Sequence, residues 1–194
     1  MSFSHGSRAG KAIAAAAEAV QTLLSDPRQI ERIEHVAAVI AGAIRSGGKV
    51  LACGNGGSAC DAMHFCEELT GRFRNDRRAL PAIACVDPGH LTCTANDFGF
   101  EFVFSRWIEA LGTQADVLVV LSTSGNSPNI TRAVEAAGKL GMTRVALLGR
   151  GGGVLSGLCE YQWIVPGKSS ERIQELHMLI LHTLVECIEH ELGL

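Results

Sequence analysis

The sequence predicts an α/β fold built on a parallel sheet, and three observations carry that prediction. Short apolar runs at 49–53, 82–86, 117–121, 143–148 and 161–165 have the length and content of buried strands. Segments with helical period lie between them, so strands and helices alternate at least four times. Two of the strands run straight into Gly- and Ser-rich loops. In a doubly wound sheet both loops open at the carboxyl edge, where ligands bind.

Residues 9–24 are alanine-rich and helical by propensity. Asp26 and Pro27 form an N-cap and N1 pair for a second helix, in which Ile30, Ile33, Val36, Ala37, Ile40 and Ile44 recur with helical period up to Gly47-Gly48. Two helices ahead of the first strand exceed what covers a small sheet. They suit either packing against another copy of the chain or capping the sheet's edge. A helix is expected at 59–69 after the first strand, and 73–80 reads as a polar loop. Turn formers stand at both ends of 87–98, ahead of a helix at 99–111. A helix over 130–140 stops at Gly141, and 149–153 reads as a mobile Gly-rich connection. The last helix, 170–192, is apolar around much of its girth and is therefore buried on more than one side.

The chain has 194 residues, 47% of them hydrophobic, which fits one domain with a large core. A net charge of −3 with no basic block argues against an extended nucleic-acid footprint. No apolar run reaches the length of about 18 residues that spans a bilayer, and the polar start of the chain has no long apolar signal-peptide core. Seven cysteines, an odd number without a C-x-x-C, read as reduced thiols in a cytoplasmic compartment.

The stretch 116–128, DVLVVLSTSGNSP, organises the candidate site. An apolar strand breaks into Ser122, Thr123, Ser124, Gly125, Asn126 and Ser127, and Pro128 then starts a helix. Free N–H groups and the helix dipole favour an anion there, and four hydroxyls can donate to phosphate oxygens. With no lysine in the loop it is not a P-loop, and it suits a small sugar phosphate better than a nucleoside triphosphate. An ordinary polar turn has the same composition. The first loop, Gly54-Asn55-Gly56-Gly57-Ser58, repeats the pattern, but Ala59 breaks the G-x-G-x-x-G fingerprint. In the helix that follows, His64 and Glu68 are four apart and share a face. That pair chelates a metal, supplies a base beside a proton shuttle, or is a surface pair worth a few tenths of a kcal/mol. Asn96 and Asp97 suit a polyol or a helix cap, and Arg72 a substrate oxygen or plain solvent. Gln174 and His182 are eight residues apart, hence about 80° round the last helix and about 12 Å along it. One metal joins both only at full stretch, so two subunits are the expected source.

Four motifs, GNGGSACDAMHFCEELTGRF, ANDFGFEFVFSR, STSGNSPN and RIQELHMLILH, resemble in order and spacing the sedoheptulose-7-phosphate (phosphoheptose) isomerases of the sugar isomerase (SIS) family. The resemblance runs from about residue 30 to the C-terminus. It implies a three-layer α/β/α sandwich with a flavodoxin-like sheet, a single SIS domain over 1–194, and a homotetramer with sites at subunit interfaces. The helices of 1–46 would serve oligomer packing and 47–194 would form the core. It also implies one Zn²⁺ per subunit on His64, Glu68, Gln174 and His182. Substrate would meet Asn55, Gly56, Gly57, Glu68, Asn96, Asp97, Ser122, Thr123, Ser124, Ser127 and Gln174. The acid/base pair would be Glu68 and His182. Two positions depart from some relatives: Ala59 in place of histidine and Glu171 in place of aspartate.

The implied reaction interconverts sedoheptulose 7-phosphate and D-glycero-D-manno-heptose 7-phosphate through an enediol, the first step of ADP-heptose formation for lipopolysaccharide. A non-catalytic relative that binds a replication initiator is the alternative; the presence of both Glu68 and His182 favours the enzyme. A sugar-phosphate sensor would usually carry a DNA-binding segment, and none is evident.

Overall fold

The computed structural model describes residues 6–194, so the polar start of the chain, residues 1–5, lies outside the described residues. Helices α1 (Arg8–Leu24) and α2 (Pro27–Arg45) precede strand β1 (Val50–Gly54). Asp26 caps α2 through a bond from the Arg28 N–H to its carboxylate at 3.2 Å. Gly47, at φ +82°, turns the chain out of α2 in the left-handed region that glycine tolerates. Then follow α3 (Gly57–Thr70), β2 (Ala82–Ala84), α4 (Pro88–Phe98), α5 (Val103–Leu111), β3 (Val117–Ser122), α6 (Pro128–Lys139), β4 (Thr143–Leu148), β5 (Tyr161–Ile164) and α7 (Ser170–Leu192).

The five strands are all parallel in the order β2-β1-β3-β4-β5, the flavodoxin-like arrangement. Every residue of β1 and β3 is buried, because helices cover both faces, and this is why those strands read as unbroken apolar runs. The side chains alternate between two cores. Val50, Ala52, Val117, Val119, Leu121, Val145 and Leu147 face α1, α2, α3 and α7. Leu51, Cys53, Leu118, Val120, Ala146 and Leu148 face α5 and α6. The three-layer sandwich is thus as expected, and it sets α3 and α7 side by side on one face of the sheet.

Two segments differ from expectation. Residues 88–98, for which the sequence showed only turn formers at both ends, form a helix. Asp87 and Pro88 make the same cap-and-N1 pair as Asp26 and Pro27, with the His90 N–H bonded to Asp87 at 2.7 Å. Gly99, at φ +99°, then breaks the chain into a single 3₁₀ turn (Phe100–Phe102), so α5 starts four residues later than expected and Asn96 and Asp97 do not cap it. The Gly-rich segment after β4 is a docked turn rather than a free connection. The Leu155 N–H bonds to the Gly125 carbonyl at 3.1 Å, and the Val154 N–H bonds to Asn126 Oδ1 at 3.0 Å.

Candidate active site

In a 2-1-3-4-5 sheet the chain leaves β1 toward one side and β3 toward the other. The gap between their carboxyl ends is therefore the natural ligand crevice. A cavity of about 240 Å³ lies there, lined by Asn55 and Ser58 after β1, by Ser122, Thr123, Ser124 and Ser127 after β3, and by Ser170 and Gln174 of α7. Three helices begin at this cavity: α3, α6 and α7. Their N-cap residues, Gly56, Ser127 and Ser169, make no capping side-chain bond. Their dipoles are thus directed at the opening, which favours an anion, while part of their first-turn N–H groups is already bonded within the chain, Ser58 to the Asn55 carbonyl at 3.1 Å and Ile130 to Asn129 Oδ1 at 3.0 Å.

The loop geometry explains the residue choices. The Ser122 hydroxyl accepts the Gly125 N–H at 3.1 Å and Ser124 accepts the Asn126 N–H at 3.2 Å, so the hydroxyls shape the loop as well as line it. Gly125 is at φ +66°, and a Cβ there would sit 1.9 Å from the Gly152 carbonyl oxygen; only glycine lets the two loops touch. Asn55 is held by a reciprocal amide pair with Asn129, at 2.9 and 2.8 Å. A Cβ on Gly57 would lie 2.5 Å from Gln174 Nε2, so the Gln174 amide rests on the bare backbone of α3's first turn. Gly56, at φ +56°, has open space around it.

Further along α3, a second cluster forms with α7. His64 Nε2 lies 3.1 Å from His182 Nε2 and 3.3 Å from Glu68 Oε1. One ligand atom from each of the three lies within 4.8 Å of the others. Glu67 Oε2 is 3.3 Å from His64 Nδ1 and orients that ring, while the Phe73 ring packs on His182 with centroids 5.7 Å apart. Two imidazoles and a carboxylate suit zinc, whose tetrahedral bonds of about 2.0–2.1 Å hold ligand atoms about 3.3 Å apart. The observed spacing fits that donor set. Of the four metal positions implied by the family resemblance, His64, Glu68 and His182 meet within one chain, and Gln174 lies against Gly57 on the cavity wall. Asn96 and Asp97 are exposed, bonded to one another at 2.7 Å, and do not line this chain's cavity. Arg72 is exposed, and Glu171 accepts the Ser169 hydroxyl at 2.6 Å.

Sequence reasoning missed three features. Ser58 and Ser170 line the cavity; each stands in the first turn of a helix at the sheet edge, and that position was the available signal. Burial pushes the Asp61 carboxyl up to about 6, against the opposing pull of His64, and its Oδ2 has no hydrogen-bond partner. Its place three residues before His64, on the same helical face, marked it. Finally, Arg77, in the stretch read as polar loop, has a buried side chain. It donates to the carbonyls of Glu68 at 2.7 Å and Leu69 at 2.9 Å and pairs with Glu189 of α7 at 2.6 Å. This guanidinium satisfies the orphan carbonyls at the end of α3 and ties that end to the helix bearing His182.

Fold and crevice together define a flavodoxin-like domain with a hydroxyl-lined cavity at its switch point. Residues 9–149 match the family model described as SIS domain. The phosphoheptose isomerase of Fusobacterium nucleatum is 52% identical over 172 residues, 89% of each chain. That of Vibrio cholerae is 52% identical over 179 residues, 92% of this chain and 94% of its own. The solved phosphoheptose isomerase of Neisseria gonorrhoeae superposes with a TM-score of 0.88 at 39% identity, covering 94% of this chain and 97% of that one. The chain belongs to the SIS domain family and, within it, to the phosphoheptose isomerases.

Proposed function

We propose that this isomerase interconverts sedoheptulose 7-phosphate and D-glycero-D-manno-heptose 7-phosphate. One observation carries the reading: helix α3 begins at the hydroxyl-lined cavity and, two to three turns on, carries His64 and Glu68 beside His182. A single rigid element thus joins a phosphate anchor to an acid/base group. The alternative, a non-catalytic initiator-binding protein, is not favoured, since relatives sharing about half the sequence over most of its length are phosphoheptose isomerases.

The phosphate would sit among Ser122, Thr123, Ser124 and Ser127, with Asn55, Gly56, Gly57 and Gln174 holding the sugar chain. Glu68 would remove the proton from C1 of the ketose and return it to C2, and His182 would move the proton between the two oxygens. Zinc, one per subunit, would be held by His64, Glu68 and His182 with Gln174. When bound it would polarise the substrate's oxygens. A carboxylate held tightly by a metal is a weak base, so the same group serves both roles only if its coordination is loose.

The assembly belongs to the same proposal. A homotetramer would cover Ile13, Val20 and Leu24, which α1 leaves exposed, and would bring Asn96 and Asp97 to a neighbour's cavity. A cytoplasmic setting suits the seven free thiols; burial raises Cys66, Cys85 and Cys159 to about 12, leaving them inert. Among the described residues no helix is long and apolar enough to cross a membrane.

The test is to incubate the purified protein with sedoheptulose 7-phosphate, with and without a chelator, and to follow the aldoheptose phosphate by NMR. Conversion that is lost on chelation and restored by zinc is expected. No conversion in a zinc-loaded sample overturns the isomerase reading, and full activity after complete metal removal overturns the metal assignment.

A further inference from the structure

Among the described residues, Arg150 is the only one other than glycine with a positive φ, at 47°. Gly151, Gly152 and Gly153 follow it with φ of +80°, +85° and +54°. Glycine is the natural choice throughout such a run, yet its first position is an arginine. A side chain kept in a disfavoured backbone region points to work done by that side chain.

Its guanidinium reaches the rim of the cavity. An Arg150 Nη donates to Ser170 Oγ at 3.0 Å, and Ser170 Oγ is 3.3 Å from Thr123 Oγ1; both hydroxyls line the cavity. The turn bearing Arg150 is fixed to the hydroxyl loop by the bonds of Leu155 to Gly125 and of Val154 to Asn126. No lysine, arginine or histidine lines the cavity itself. A phosphate held there would meet hydroxyls and helix N-termini but no full positive charge. Ser170 is also the first residue of α7, and a cation beside a helix N-terminus is repelled by the dipole. The Glu171 carboxylate of that first turn, which accepts the Ser169 hydroxyl, feels the Arg150 charge and offsets part of this repulsion, but it does not line the cavity. An anion inside the cavity, between the guanidinium and the helix end, would meet both the charge and the dipole.

We propose that Arg150 is the counter-charge for the substrate's phosphate, exchanging the Ser170 hydroxyl for phosphate oxygens when the cavity fills. This rests on the isomerase reading and adds a binding residue to it. A planar guanidinium with two N–H groups toward one phosphate supplies what the hydroxyl loop lacks.

The test compares R150G, R150Q and R150K with the wild type. The readouts are melting temperature, KM and kcat for sedoheptulose 7-phosphate, and the inhibition constant of inorganic phosphate. R150G is expected to melt at or above the wild-type temperature, because glycine suits this φ. The same variant is expected to raise KM and the phosphate inhibition constant by about 10- to 100-fold, the worth of a hydrogen bond to a charged group. R150Q should follow it in binding, and R150K should recover part of the loss. Wild-type phosphate affinity in both R150G and R150Q overturns the proposal, and with turnover intact it leaves the isomerase reading standing. If the wild type binds phosphate through Arg150 in calorimetry but does not turn over, the isomerase reading fails and the Arg150 assignment stands. A wild type that does neither overturns both.

Discussion

Two sets of helix N-termini in this molecule are built differently. At α1, α2 and α4, the side chains of Ser7, Asp26 and Asp87 accept bonds from first-turn N–H groups. At α3, α6 and α7, the N-cap residues Gly56, Ser127 and Ser169 accept none, and these three helices open on the same cavity. The α5 start is a separate case, since it continues from a 3₁₀ turn. Orphan N–H groups at a helix start need a partner. Where an N-cap side chain supplies that partner, the helix end is closed off for the fold; at the three ends that converge on the cavity no N-cap side chain does so, which leaves their dipoles open to an anion.

The comparison divides anchoring from chemistry, and the largest predicted effect lies on the chemical side. Glu68 is on α3 but about three turns beyond the N-terminus, beside His64 and His182. Glu68→Gln should lower kcat by about 10²–10⁴-fold, the usual worth of a positioned general base. The inhibition constant of inorganic phosphate should not move, because the anchor is a separate set of groups. Near-normal turnover would remove Glu68 from the base role; weaker phosphate binding would show that the two halves of α3 are not independent.

A second effect belongs to the opposite edge of the sheet, where a polar cluster closes on itself. Asp116 accepts the Lys49 N–H at 2.8 Å and Nζ at 2.7 Å, and the Thr113 N–H at 2.8 Å and hydroxyl at 2.9 Å. Burial pushes its carboxyl up, but these bonds outweigh burial and hold it below the ordinary carboxylate range. Asp116→Asn should cost about 3 kcal/mol, since it leaves buried donors facing an amide. At about 2–4 °C per kcal/mol, the melting temperature should fall by roughly 6–12 °C. The pH dependence has a fixed sign. A depressed native value contributes stability above the unfolded value of about 3.9, and that stability is lost as pH falls through the native value. The gap between wild type and Asp116→Asn should therefore hold steady from pH 5 to 7 and narrow below about pH 4. A gap that widens in acid would refute the assignment. Per folded molecule, catalysis should be unchanged.

Much of this was legible in the sequence because it rests on local chemistry. Unbroken apolar strands, Asp-Pro helix starts and the i, i+4 spacing of His64 and Glu68 are short-range signals, and with the family resemblance they led to the parallel, flavodoxin-like three-layer sandwich; that α3 and α7 lie side by side came from the structure. What local reading lost was long-range satisfaction. Residues 73–80 look like solvated loop because five of the eight are charged or polar arginines, asparagine and aspartate. The side chain of one of those arginines, Arg77, is nonetheless buried against carbonyls of α3 and Glu189, which is 112 residues away. The 149–153 loop likewise looks free until Gly125 and Asn126 are placed beside it. Asn96 and Asp97 matched a motif, but a motif does not say where the fold places its residues, and both are exposed and outside the cavity lining.

A crossed pair of substitutions tests the division of helix ends directly, with smaller effects. Asp87→Ala removes a working cap from α4 and should cost about 1 kcal/mol, lowering the melting temperature by about 2–4 °C. KM should stay where it was, because Asp87 does not line the cavity. Ser127→Ala removes a hydroxyl that caps nothing yet faces the cavity, so the expectations reverse. The melting temperature should hold within about 1 °C, and KM should rise about tenfold, the worth of one hydrogen bond to a charged phosphate. If both substitutions move stability alone, the uncapped ends are only weak helix starts and the distinction fails.

The smallest expected effect sharpens what a cap must do to matter. Asp26 caps α2 and also meets the Arg28 guanidinium at 2.8 Å and the Gln29 amide at 3.1 Å; those bonds lower its carboxyl to about 2. The charge pair looks stronger than any bond at the cavity, but the Arg28 side chain is 82% exposed. Water and salt screen an attraction in that position, and ordering a long arginine offsets most of what remains. The capping bond from the Arg28 backbone N–H does not need the arginine side chain at all. Arg28→Ala should therefore leave the melting temperature within about 1 °C and turnover unchanged, at both low and high salt. A drop of several degrees that vanishes in high salt would show that the ion pair, and not the cap, sets the start of α2.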